Sequence, residues 1–416
     1  MNKSTSVLSK LGPGLLYAGA AIGVSHLVQS TRAGASFGIA MILVVIIVNY
    51  LKYPFFQYGT RYVAATGKSL LHGYQRLGNW AIWLFFLLTL GTMFILQGAV
   101  TLVTAGLAKY ITGTDLSTTS VFVIILILSA SILFSGKIKI LDKIMKVVMV
   151  VLAVTTIAAA ISSFYATVDV THNSTPFSFS NRTHIFFLIA FIGWMPAPID
   201  ISVWYSVWSE SSLKEQNQKA QLKTSLFDFS IGYWGTAFLA LCFVILGANM
   251  LHNTGTELSG NAVIFSGQII EAYSNSLGTW ATPIISVAAF TTMLSTTISV
   301  MDGITRVMVP TSQLLAKKEV SSSKPLFVFW LSILGIGSYF LIRNYASNMR
   351  QMVDFATTIS FLTAPVLAYL NIRVMGSSEI TNEFKPSKFT LYTSYLGLAV
   401  LVAFTFVYAY FKFLTS

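Results

Sequence analysis

Eleven stretches of apolar residues, each close to the ~20 needed to cross a bilayer as a helix, make up most of this chain. They fall near 12–33, 38–58, 80–107, 119–135, 143–165, 184–207, 226–250, 277–301, 326–342, 351–371 and 389–412. The linkers between them, such as Lys214-Glu215-Gln216-Asn217-Gln218-Lys219, are short and polar, and none is long enough for a soluble domain. Only 10% of the 416 residues are charged and 55% are hydrophobic. A soluble protein of this size could not cover its surface from such a stock, and disorder or a collagen-like fibre is excluded by the same numbers. The expected class is an all-α integral membrane protein that is mostly span. The first stretch is too long for a cleavable signal, and no small-residue cleavage site follows a short apolar region.

The net charge is +12. A surplus of that kind points either to nucleic acid or to positive-inside loops, and position separates the two. With the N-terminus placed inside, nineteen of the 26 lysines and arginines fall in inside loops. They run from Lys3 and Lys10 through Arg61, Lys137 and Lys219 to Lys318 and Lys388. Six, including Arg32 and Arg182, fall outside, and Lys52 lies within a span. The basic residues occupy six separate places, so no nucleic-acid partner is expected. The expectation is a multi-pass protein of a cell's inner (plasma) membrane, with the lipid bilayer as its surroundings. Its N-terminus is cytoplasmic and, with an odd span count, its C-terminus external.

Enzyme chemistry finds no foothold. The single cysteine, Cys242, allows neither an intramolecular disulfide nor a CxxC metal site. The five histidines are scattered at 26, 72, 172, 184 and 252, with no HExxH and no Walker lysine motif. No enzyme activity, no ATP-driven pumping and no cofactor are expected. Asn173-Ser174-Thr175 is formally a glycosylation sequon on the outer side.

Two spans carry what an ordinary membrane helix avoids. The first contains Ile22-Gly23-Val24-Ser25-His26, a glycine, a small polar residue and a histidine near mid-bilayer. The sixth contains Gly193-Trp194-Met195-Pro196-Ala197-Pro198-Ile199-Asp200, two prolines followed by an acid. Each proline removes a backbone donor and clashes with the preceding turn. Freed backbone groups at that depth are tolerated only against protein or a cavity. The breaks are five spans apart, as expected of two inverted five-helix repeats that each begin with a discontinuous helix. Repeat one would cover about 12–165 and repeat two about 184–371, with an extra eleventh helix at about 389–412. In such transporters the solute sits between the two breaks.

The sequence resembles the natural resistance-associated macrophage protein (Nramp) family, transporters of divalent metals coupled to protons. The resemblance rests on Gly12-Pro13-Gly14-Leu15-Leu16, Ala33-Gly34-Ala35-Ser36-Phe37-Gly38, Ala65-Thr66-Gly67-Lys68-Ser69-Leu70, Met195-Pro196 and Thr296-Thr297-Ile298-Ser299. It implies a LeuT-type fold. It also implies binding residues: the positions of the family's Asp-Pro-Gly-Asn metal motif are here Gly23, Val24, Ser25 and His26, and its Met-Pro-His is Met195-Pro196-Ala197. The metal-binding carboxylate is thus a glycine, which marks a divergent branch.

The candidate substrate-binding residues are therefore Gly23, Ser25, His26, Met195 and Ala197, with Met195 and His26 as metal ligands; each could instead pack or hydrogen-bond to a neighbouring helix. Asp200, in the first turn of the restarting helix, either caps it or supplies the missing acid or a proton site. Thr296, Thr297 and Asp302, which ends span eight, are candidates with His26 and Asp200 for coupling to protons or sodium, or else bond between helices. The expected function is secondary transport of a small inorganic ion by alternating access, a divalent metal of the Mn²⁺ or Fe²⁺ type. Charge argues otherwise, because a divalent ion in a low-dielectric site needs compensating acid. An anion or other non-metal solute, or a non-transporting sensor, stays open.

Overall fold

A computed structural model describes residues 13–135, 138–168, 176–216, 221–252, 254–317, 323–343 and 348–414. The loop residues Lys3, Lys10, Lys137, Lys219 and Lys318, together with His172 and the sequon at 173–175, lie outside the described residues. The described residues are helical almost throughout. In order they form α1 (Pro13–Ala21), a π-helical turn (Ser25–Ser30), α2 (Thr31–Phe37), α3 (Met41–Thr66), α4 (Leu70–Leu77) and α5 (Asn79–Thr112). Next come α6 (Thr118–Ser135), α7 (Ile138–Ser162), α8 (Arg182–Gly193), α9 (Asp200–Gln216) and α10 (Leu222–Met250). The last are α11 (Ala262–Leu277), α12 (Thr282–Ala316), α13 (Lys324–Ile342), α14 (Met349–Met375) and α15 (Lys388–Phe413).

Each of the eleven expected spans is helical. Eight helical runs among the described residues are long and apolar enough to cross a membrane. The first and sixth spans are divided where the sequence predicted, into α1 and α2 and into α8 and α9. Long helices end where glycine can enter the left-handed region: Gly67 closes α3 at φ 69° and Gly113 closes α5 at φ 63°. Leu43, Ile127, Val154 and Phe406 are exposed on the outside of the bundle, as lipid-facing side chains are.

The packing follows a two-fold rule. α5 packs on α12 and α3 on α10, and each of these pairs maps onto itself when spans one to five are exchanged with six to ten. Likewise the α2–α10 contact has its counterpart in α9–α3, α5–α14 in α12–α7, and α5–α13 in α12–α6. This is the LeuT-type arrangement of two inverted five-helix repeats, with α15 added against α3 and α14. Small residues let the divided spans approach closely. A Cβ on Gly34 of α2 would come within 2.0 Å of the Val244 carbonyl oxygen of α10, and one on Gly247 within 2.2 Å of that of Thr31.

Two short helices depart from the expected linkers. α4 precedes α5, and α11 precedes α12. Both end in the same turn, Leu77-Gly78-Asn79-Trp80-Ala81 and Leu277-Gly278-Thr279-Trp280-Ala281. Gly78 (φ 129°) and Gly278 (φ 99°) both take a conformation that L side chains avoid. In each turn the following alanine donates its N–H to the glycine carbonyl at 3.1 Å, and the tryptophan edge lies where a Cβ would project. A second difference concerns Asp302, expected to end span eight. α12 runs on past Asp302 to Ala316, and Asp302 pairs with Arg306 one turn later at 2.7 Å.

Candidate functional site

The break in span one lies at Ile22 and Gly23; the Gly23 carbonyl still accepts from the Leu27 N–H at 2.9 Å, while those of Gly19 and Ile22 look to a neighbouring helix. Thr296 of α12 takes them up. Its Oγ1 lies 2.8 Å from the Ile22 carbonyl and 3.1 Å from that of Gly19, besides 3.1 Å from that of Thr292 on its own helix. The same side chain fills the space beside Gly23. A Cβ there would be 2.7 Å from Thr296 Cγ2 and 2.9 Å from Oγ1. The position at which the family motif carries its acid is therefore both without a side chain and closed to one.

The break in span six, residues 194–199, is held differently. Met195 and Ala197 are buried. Lys52 of α3, 2% exposed, sends its ammonium to the carbonyls of Ile192 at 3.1 Å, Gly193 at 3.2 Å and Ala197 at 3.1 Å. Asp200 opens α9, as expected from the position of Pro198; it is buried, and its Oδ2 has no partner.

His26 is fully buried and both ring nitrogens are engaged. Nε2 lies 2.9 Å from the Thr236 carbonyl, so it carries the donor proton, and Nδ1 lies 2.7 Å from Ser25 Oγ. Ser25 Oγ is also 2.7 Å from the Ala21 carbonyl. With neutral His26, the one Ser25 proton thus serves two acceptors. Thr297 turns away from the break, toward α5, where its Oγ1 meets Thr104 Oγ1 at 2.8 Å and its carbonyl accepts from Gln97 at 3.3 Å. Asp302 lies beyond the break and accepts from Trp208 Nε1 at 2.9 Å.

Between the breaks the free space is small, about 20 Å³, room for about one water. Its walls are mostly apolar, among them Val24, Leu96, Trp194, Ile201 and Trp204, with Ser25 and Thr296 the polar exceptions. Neither Asp200 nor Met195 lines it. Toward one end, farther along α2, lies a bidentate ion pair from Arg32 to Asp354 of α14, at 2.6 and 3.0 Å, braced by Gln29. Toward the other, a cavity of about 680 Å³ opens among α4, α9 and α12. Lys68, Lys214, Arg306 and Lys317 line it, with Glu210 and His72. Glu210 accepts from Lys214 at 2.7 Å and from the Ser69 N–H at 2.8 Å. Burial holds the His72 ring below the usual histidine range, and nearby Lys68, Lys214 and Arg76 act in the same direction.

Among the described residues there is no group of three or more His, Cys, Asp or Glu able to hold a metal ion. Asp354 and Lys52 were missed by sequence reading. Asp354 was not singled out, although an acid in a span needs a partner and Arg32 was in view. Lys52 was visible as a lysine at mid-span, but nothing in its neighbours named the break it reaches.

Two discontinuous helices, inside ten spans related by inversion, define an integral membrane protein of LeuT-type fold. The family model described as natural resistance-associated macrophage protein-like matches residues 14–410. The chain belongs to the Nramp family. The Pasteurella multocida protein PM0681 is 34% identical over 422 residues, covering 98% of this chain and 94% of its own. Among solved structures, the Eremococcus coleocola manganese transporter in complex with an aromatic bis-isothiourea compound superposes with a TM-score of 0.71 at 14% identity, over 98% of this chain and 88% of that one. MhsT in complex with L-phenylalanine superposes with a TM-score of 0.66 at 14% identity, over 95% and 98%.

Proposed function

We propose that this protein moves a small uncharged or anionic solute, rather than a bare divalent metal ion, by alternating access between its two repeats. The observation that carries this reading is Thr296 in the space beside Gly23. A divalent ion between the breaks would need acidic ligands, and the one position that offers one in the family motif is closed. The apolar walls suit a solute with a hydrophobic portion. The basic 680 Å³ cavity favours negative over positive charge on approach.

The chain is proposed to lie in an inner membrane with its N-terminus and the basic cavity on the cytoplasmic side, as the distribution of lysine and arginine supports. Repeat one (about 12–165) and repeat two (about 184–371) would each lend a divided span and the helix after it, α1 to α3 and α8 to α10, to a moving part that turns around the breaks against α5 and α12. Sodium coupling would use the oxygen atoms gathered by Thr296. Proton coupling would use Asp200 or His26, since a proton on His26 Nδ1 releases the Ser25 hydroxyl to Ala21.

Transport of a divalent metal is the second reading, favoured by family membership and by Met195 beside the break. Purified protein in liposomes is tested for uptake of radioactive Mn²⁺ and of small labelled carboxylates. We expect no Mn²⁺ uptake above protein-free vesicles, and uptake of at least one carboxylate. Mn²⁺ uptake that disappears on Met195→Ala would overturn the proposal.

A further inference from the structure

The two breaks solve one problem by different means. Unwinding a membrane helix leaves carbonyls without donors, and in discontinuous helices such carbonyls, together with the negative end of a half-helix, are where cations are held. At the span-one break a neutral hydroxyl, Thr296, covers them. At the span-six break the donor is a full positive charge. An ammonium has three protons and no acceptor. Here three carbonyls, two from the last turn of α8 and one from the unwound segment, receive them at 3.1 to 3.2 Å. The count closes with none left over. Lys52 is otherwise among apolar groups, with the Phe56 ring 6.0 Å from its nitrogen. The charge facing it is Asp200, whose Oδ2 is buried and without a hydrogen bond. The carboxylate is thus in reach to balance the lysine, although it does not contact it.

We propose that Lys52 is a tethered cation, its ammonium standing among the carbonyls of Ile192, Gly193 and Ala197 where a free monovalent cation would otherwise bind. A membrane-buried charge is costly, and an apolar residue would serve better if Lys52 only filled space. Three carbonyls can all be satisfied only by the protonated amine, so in this arrangement the span-six break carries its own counter-charge. This break therefore does not draw on sodium or potassium from either side of the membrane, and its carbonyls are not free to act as ligands for a transported ion. The assignment is independent of which solute the protein moves, and its failure would leave the proposed function untouched.

Deleting the ammonium should turn the tethered site into an ordinary one. Lys52→Ala removes three carbons and the nitrogen, the outline of propylammonium. Lys52→Met keeps the volume and removes the charge. Full-length wild type and both variants, in lipid nanodiscs, are unfolded thermally in chloride salts of choline, sodium, potassium and propylammonium at equal ionic strength. Each variant is compared with wild type in the same salt, which cancels any sodium effect elsewhere in the protein. We expect Lys52→Met to unfold several degrees below wild type in all four salts. Lys52→Ala should be lowest in choline and recover half or more of its loss in propylammonium, sodium or potassium. A Lys52→Met midpoint equal to wild type would overturn the proposal, and so would a Lys52→Ala deficit of the same size in all four salts. Should Lys52→Ala not fold, the Lys52→Met midpoint decides alone, a loss of several degrees supporting the proposal and none refuting it.

Discussion

Putting the acid back at Gly23 tests the reading of the site directly. Gly23→Ala adds one Cβ, which would stand 2.7 Å from Thr296 Cγ2 and 2.9 Å from its Oγ1. Overpacking of that kind costs about 1–3 kcal/mol. Gly23→Asp adds the same clash and a buried carboxylate, at a cost of several kcal/mol more unless the group is paired. Thr296→Ala alone gives up one O–H donor, shared among the carbonyls of Gly19, Ile22 and Thr292, worth about 1 kcal/mol in all. Because these losses share one space, they should not add. The Gly23→Ala/Thr296→Ala pair should be more stable than the sum of its single changes by about 1–2 kcal/mol. The Gly23→Asp/Thr296→Ala pair has room for a carboxylate beside the freed carbonyls of Gly19 and Ile22, so it should gain affinity for Mn²⁺. At a metal concentration of 100 Kd that would appear as about 2.7 kcal/mol of added stability. Thermal unfolding with and without Mn²⁺ measures both effects. The reasoning is refuted if Gly23→Asp alone is as stable as wild type, or if Mn²⁺ stabilises it as much as the double variant.

Further outcomes follow from other parts of the structure. Gly34→Ala would force a methyl to within 2.0 Å of the Val244 carbonyl; we expect a loss of at least about 3 kcal/mol, read as failure to purify as a monodisperse protein or as a sharply lowered midpoint. Arg32→Gln breaks the pair with Asp354, whose side chain is 35% exposed. Because the Arg32 side chain is only 9% exposed, the stability cost should be about 1–3 kcal/mol, while a cysteine placed between the breaks becomes more reactive to a thiol reagent added at that end. His72 is held below the usual histidine range by burial, so the unfolded chain binds a proton first as pH falls. Its contribution is intact above about pH 6.5 and declines as pH drops through that value toward the lower folded pKa; His72→Gln should flatten the stability curve there.

Span number, the two breaks and the restart at Asp200 were legible because each depends on local sequence: apolar length, paired prolines, a glycine beside polar residues. The partners that close the site were not. Thr296 was read as one hydroxyl in a row of several, and only the structure shows it turned to the break while Thr297 turns to α5. The pairing of Arg32 with Asp354 joins residues more than three hundred positions apart, and no periodicity reports such a contact. α4 and α11 escaped because they are too short or too polar for a hydropathy pattern, although their shared Leu-Gly-x-Trp-Ala ending is plain once the inversion is known.

That shared turn has a mechanical consequence. Trp80 and Trp280 are exposed, at 51% and 65%, and inversion sets them toward opposite faces of the bundle, where indole rings seek the headgroup layer. Both turns belong to helices that pack on α5 and α12. These two spans are thereby pinned at both surfaces of the bilayer and resist tilting or sliding along its normal. Motion that exposes the breaks to one side and then the other must then be taken up by the divided spans and by α3 and α10 beside them, turning against a frame that the lipid itself holds upright.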